Sequence, residues 1–206
     1  MKLRTGTCVA LVLSTAAMLT GTAAQADIIE AASWSGIGDE YHYGKAVGWQ
    51  FKANDDLLVT HLGVLDMGSA GLTESHSIGI FDSNGSLVVS TEVGAGLSGD
   101  LMLDSMVYNS VGLATLNKNE TYYILADNWT QDAYTFGQDA VQYSSDISWL
   151  TFSESTSNSI FDSVLHFDGG EPGNLGPGFM YRNLPAPGAL ALLGLAGVAG
   201  TRRRRN

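Results

Sequence analysis

Between the β-rich runs Ser77-Ile78-Gly79-Ile80-Phe81 and Leu87-Val88-Val89-Ser90-Thr91-Glu92-Val93 stands the segment Asp82-Ser83-Asn84-Gly85-Ser86. Asn-Gly in that setting predicts a hairpin, because both residues tolerate the positive φ of a tight reversal. Antiparallel pairing is therefore required in the middle of the chain, and the flanking sequence extends it. Val47-Gly48-Trp49-Gln50-Phe51 puts large apolar residues on every second position, the period of a half-buried strand. Leu57 to Leu65 is nearly continuous, as a more central strand would be, and Asn54-Asp55-Asp56 makes the turn between the two. Further strands are predicted at Leu101 to Tyr108, Ser110 to Leu116, Thr121 to Ala126 and Val141 to Ser144. Ile147 to Ser153, Ser163 to Phe167 and Phe179 to Arg182 complete the series. Gly169 to Gly173 and Gly176-Pro177-Gly178 read as loops near its end. Outside the termini no stretch keeps a helical period for long. Short strands parted by Gly, Asn and Asp turns predict an all-β fold, a two-sheet antiparallel β-sandwich that is jelly-roll-like, with a closed barrel as the alternative.

The two ends differ from this pattern. Met1-Lys2-Leu3-Arg4 is a positive start, Cys8 to Leu19 is apolar, and Ala24-Gln25-Ala26 has small residues where a signal peptidase cuts. Residues 1–26 are thus expected to be a signal helix, residues 27–183 a β-sandwich domain and residues 184–206 a separate tail. The only cysteine, Cys8, leaves with the signal, so the mature body has no disulfide and depends on its core. All 21 acidic residues lie between Asp27 and Glu171, and the body's only basic residues are Lys45, Lys52, Lys118 and Arg182. Four positive charges against 21 negative ones leave the body at a formal −17. That surface repels nucleic acid and anionic membrane.

The tail concentrates what the body lacks. Gly188 to Gly200 is uncharged and mostly Ala, Leu and Gly, and Arg202, Arg203, Arg204 and Arg205 follow it. As a short apolar helix the run would be about 20 Å long, less than the roughly 30 Å hydrocarbon core of a bilayer. Snorkelling arginines extend it and would stay on the cytoplasmic side, which predicts a transient membrane insertion. The order of parts resembles a PEP-CTERM sorting signal: a Pro-Glu-Pro motif, an apolar Gly/Ala/Leu segment and an Arg-rich end. Here the motif position is Pro185-Ala186-Pro187, with Ala186 where the family has Glu. The resemblance implies processing by an exosortase-type enzyme and delivery to the cell surface or extracellular matrix of a Gram-negative bacterium. Val47 to Phe51, Val59 to Gly63 and Ser75 to Phe81 are loosely similar to an uncharacterised β-sandwich domain of such exported proteins. That similarity implies a fold and no activity.

Candidate chemistry is sparse. Asp66, Glu74, His76 and Asp82 bracket a long loop and the strand after it, and such groups can serve hydrolysis. His76 shares a strand face with Ile78 and Ile80, however, so a hydrogen-bonded residue at the core edge outweighs a catalytic one. No Gly-x-Ser-x-Gly, His-Glu-x-x-His or Walker pattern is present. The loops are rich in Asp and Asn, compatible with a structural Ca²⁺, although none matches an EF-hand. His42, His61, His76 and His166 have no zinc spacing, and no other cofactor is expected. Trp34, Tyr41, Tyr43, Trp49, Trp129, Tyr134 and Trp149 supply aromatic faces for sugar. Trp49 and Trp149 alternate with apolar partners and are expected in the core. Trp129, with Tyr41 and Tyr43, lies in polar surroundings, where an exposed stacking platform and a core role are both open. The favoured expectation is a non-enzymatic exported surface protein associated with exopolysaccharide or other envelope glycans. A carbohydrate-binding module with a defined ligand is the alternative, and a secreted polysaccharide hydrolase is the weakest.

Overall fold

The computed structural model describes residues 27–34, 39–136, 141–167 and 176–184. The strands in these residues begin with β1 (Ile29–Glu30), β2 (Ala32–Trp34), β3 (Asp39–Tyr43), β4 (Val47–Ala53) and β5 (Leu57–Leu65). Next come β6 (His76–Asp82), β7 (Leu87–Val93), β8 (Leu101–Leu103), β9 (Met106–Leu116) and β10 (Thr121–Ala126). The last are β11 (Trp129–Phe136), β12 (Val141–Tyr143), β13 (Ile147–Ser155), β14 (Val164–Phe167) and β15 (Pro177–Asn183). The fold is all-β. One sheet has the order β1-β15-β5-β9-β8 and the other β14-β13-β4-β10-β6-β7, with β11-β3 and β12-β2 as two-stranded additions. Neighbouring strands run antiparallel, as between β5 and β9 or β10 and β4.

Alternation explains how the two larger sheets share a core. Val47, Trp49, Phe51 and Ala53 of β4 are all fully buried, together with Ile78, Ile80 and Ile124 from its sheet. They belong to one cluster with Leu57, Val59 and Leu62 of β5 and Phe179 and Tyr181 of β15. Trp49 stacks on Phe179 with centroids 6.0 Å apart, and its indole N–H donates to the Pro177 carbonyl at 2.9 Å. Each such large side chain stabilises the fold by about 1.5–3 kcal/mol through burial alone. The second face of the six-stranded sheet carries a smaller cluster, Ala46, Phe81, Tyr123, Leu125 and Ile160.

The hairpin at Asn84-Gly85 forms, joining β6 to β7 in register Ile80↔Val89. Only Gly85 uses the positive φ, at 83°. Asp82 does the rest, its Oδ1 accepting the N–H groups of Asn84 and Ser86 at 2.9 Å. Several expected boundaries move. The run 101–108 is broken by Asp104 and Ser105, whose φ values of 46° and 62° close a tight turn between β8 and β9. Gly176-Pro177-Gly178 is not a loop, because β15 starts at Pro177, the strand position where a missing N–H is tolerated. Trp149 is half-buried and packs against the main core from its edge. The expected signal helix and C-terminal apolar helix lie outside the described residues.

Candidate functional site

The long loop between β5 and β6 closes on the start of β11, and His76 is the centre of the closure. Its position on β6 in phase with Ile78 and Ile80 turns it inward, and the ring has no exposed surface. Nδ1 lies 2.5 Å from the Asp127 carbonyl oxygen, and Nε2 lies 3.0 Å from Asp132 Oδ2. Both partners are acceptors, so a doubly protonated ring satisfies both contacts. The neutral ring satisfies one. Asp132 also accepts the backbone N–H of Thr73 at 2.8 Å and of Glu74 at 2.9 Å. Burial pushes the Asp132 carboxyl up, but these donors and His76 outweigh it and hold the group below its usual range. Burial also pushes Asp127 up, and there it wins over the Ser77 N–H that Oδ1 accepts at 2.6 Å.

Asn128 adopts a left-handed φ of 63° at this junction, and its side chain donates to the Ser75 carbonyl at 2.7 Å. The kink sends Trp129 inward. The indole is fully buried, donates to the Ala126 carbonyl at 2.6 Å and lies 4.8 Å from the His76 ring. Gly176 makes the space, since a Cβ there would come 2.6 Å from Trp129 Cζ2. An exposed stacking platform at Trp129 is therefore corrected: the residue opens β11 instead of sitting in a loop, and its ring belongs to the core. Tyr43, its register partner on β3, is 38% exposed with Lys45 Nζ 5.3 Å from the ring centroid. Tyr41 pairs with Tyr134 in the same ribbon, and its side chain lies outside the described residues.

A polar cleft of about 340 Å³ opens beside this closure, lined by His42, Asp66, Gly71, Thr73, Gln131 and Asp132 among others. Asp66 is committed within it, Oδ2 accepting the Gly71 N–H at 2.8 Å. Glu74 takes the Thr130 hydroxyl at 2.9 Å. Asp82 stands at the far end of β6, about 20 Å along the strand from His76, where it caps the hairpin. The four carboxylate and histidine candidates are thus not gathered on one reacting centre. Three of them hold a loop and the fourth holds a turn. Among the described residues no group of three or more His, Cys, Asp or Glu is placed to bind a metal ion.

A second cleft, about 530 Å³, lies against the second face of the six-stranded sheet and is lined by Asn84, Tyr123, Phe161, Asp162 and His166 among others. Sequence reasoning passed over it. Its one signal is Ile160-Phe161, two large apolar residues inside the polar stretch Ser153 to Ser163. Comparison with protein-family models finds no match to the chain, and comparison with curated protein sequences finds none either.

Proposed function

We propose that this chain is an exported, non-enzymatic protein of the cell surface or extracellular matrix, sorted by an exosortase-type enzyme and associated with exopolysaccharide. A jelly-roll-like β-sandwich body is supported by the path of the chain, which changes sheet between β4 and β5, β5 and β6, β7 and β8, and β9 and β10. The observation that carries the sorting is the position of the tripartite tail. β15 ends at Asn183 and the Pro185-Ala186-Pro187 motif follows at once, so a cut near Pro187 leaves each described strand whole. Removing the arginines also leaves the body at its full acidic charge, suited to a soluble partner of neutral glycans and unsuited to nucleic acid. Its carboxylates have structural work, as at Asp66, Asp82 and Asp132, which accept backbone N–H groups.

Intact-mass measurement of the protein recovered from the cell surface tests the proposal. The expected species lacks residues 1–26 and everything beyond Pro187 or a neighbouring bond. A surface species that retains Arg202 to Arg205 would overturn it.

A further inference from the structure

Loop 156–163 presents a large ring to solvent. It folds over the second face of the six-stranded sheet and is anchored by Ile160, which is buried in the small cluster with Phe81, Tyr123 and Leu125. The next residue, Phe161, is 65% exposed. A lone exposed ring would mean little. This one is held in place. Its N–H donates to Ser159 Oγ at 3.2 Å, the Asp162 carboxylate accepts the Ser157 hydroxyl, and Thr156 N–H donates to the Ser163 carbonyl at 2.9 Å. Phe161 also rests edge-on against Phe81, with centroids 6.1 Å apart at 79°.

Buried rings support it from beneath. Phe81 stacks on Tyr123 at 5.2 Å, and Tyr123 meets His166 edge-on at 5.2 Å. Ser153 Oγ fixes His166 through Nδ1 at 2.8 Å, which leaves Nε2 as the ring's second polar atom. Burial lowers the proton affinity of His166, and burial together with the charge of Asp82 raises the Tyr123 phenol, so both groups are neutral at pH 7. Asn84, from the hairpin turn, lines the same cleft. The described lining contains no Lys or Arg, and its charged member is Asp162. A volume of about 530 Å³ falls in the roughly 300–1,000 Å³ range of small-molecule clefts.

We infer that this cleft binds a neutral hexopyranose chain, with the C–H face of one ring on Phe161 and its hydroxyls on Asp162, Asn84 and His166. The site rests on the reading that the body associates with exopolysaccharide, and it gives that reading a place. The negative face of an aromatic ring attracts the polarised C–H groups of a pyranose. A carboxylate, an amide and an imidazole offer the mixed acceptors and donors that hydroxyls need. An anionic polymer is rejected, because its carboxylates or sulfates would face Asp162 on a body already at −17 without a compensating cation. The anchored loop is already ordered, so binding does not have to order it.

Calorimetric titration of the intact exported protein tests this, using cellohexaose, maltohexaose and mannohexaose as neutral probes and an alginate hexamer as the anionic one. The expected result is saturable binding to at least one neutral probe and none to alginate. Phe161→Ala should weaken that binding by about tenfold or more, as loss of a central aromatic contact does. Phe161→Trp should restore it, and Leu113→Ala, an exposed residue of the other sheet, should leave it unchanged. Equal affinity in wild type and Phe161→Ala overturns the site, as does tight alginate binding. The same proteins are then titrated with exopolysaccharide extracted from the producing cells. Binding there that ignores Phe161→Ala removes the site and leaves the association standing. Absence of binding to both the extract and the oligosaccharides removes both.

Discussion

Segments 126–132 and 156–163 are both polar stretches that carry one large aromatic ring, and they place it in opposite surroundings. In the first, the left-handed Asn128 turns the chain, Gly176 leaves a space, and Trp129 fills it against His76. In the second, Ile160 takes the buried position and Phe161 is left outside. A polar neighbourhood in sequence therefore does not decide the fate of a ring. What decides it is whether a cavity exists within reach and whether an adjacent residue already fills it.

The contrast can be broken by substitution, and the largest effect is expected at the inward ring. Trp129→Ala should cost about 3–5 kcal/mol, the range for emptying a buried aromatic site. Urea denaturation measures it, and a loss below about 1 kcal/mol would mean that the indole is not packed as described. Asp132→Asn comes next, at about 2 kcal/mol near neutral pH, because an amide has one acceptor oxygen where the carboxylate accepts from the Thr73 and Glu74 N–H groups and meets the buried His76 ring. Its pH dependence gives a sharper test. The folded-state pKa of Asp132 is lowered from the ordinary 3.8, so its stabilisation is fully present above that value and is lost as pH falls through the lower folded one. Asp127 and Glu30 are raised and act in the opposite sense, their contributions fading as pH rises through the raised values. The wild-type minus Asp132→Asn difference cancels them, and should shrink as acid is added below about pH 4. The smallest stability effect is expected at the outward ring. Phe161→Ala should change unfolding free energy by less than about 0.5 kcal/mol, as surface substitutions usually do.

Local pattern announces some parts of the molecule and not others. Trp49 and Phe51 alternate along β4, and Asn84-Gly85 marks the hairpin between β6 and β7, so the central strands and their antiparallel pairing follow from local pattern. The β3–β11 ribbon does not, because Asp39-Glu40-Tyr41-His42-Tyr43 has no apolar alternation and gains its partner only through the chain reversal at Asn128. The turn at Asp104-Ser105 lacks the glycine that would announce it. His76 was legible as a hydrogen-bonded residue at the core edge. Its partners were not, for Asp127 and Asp132 stand 51 and 56 residues away. The exposed Phe161 depends on Ile160 finding Phe81 and Tyr123, contacts that no local rule supplies.

The position of β15 carries a consequence for the order of assembly. It lies between β1 and β5, its Phe179 and Tyr181 sit in the main core, and its pairing with β1 joins residues about 150 apart in sequence. A polypeptide emerging from its N-terminus therefore delivers β1 and β5 long before the strand that bridges them. Until residues 177–183 arrive, β1 lacks its one neighbour among the described strands and one side of β5 is uncovered. The five-stranded sheet therefore closes only once β15 has emerged, well after the strands on either side of it.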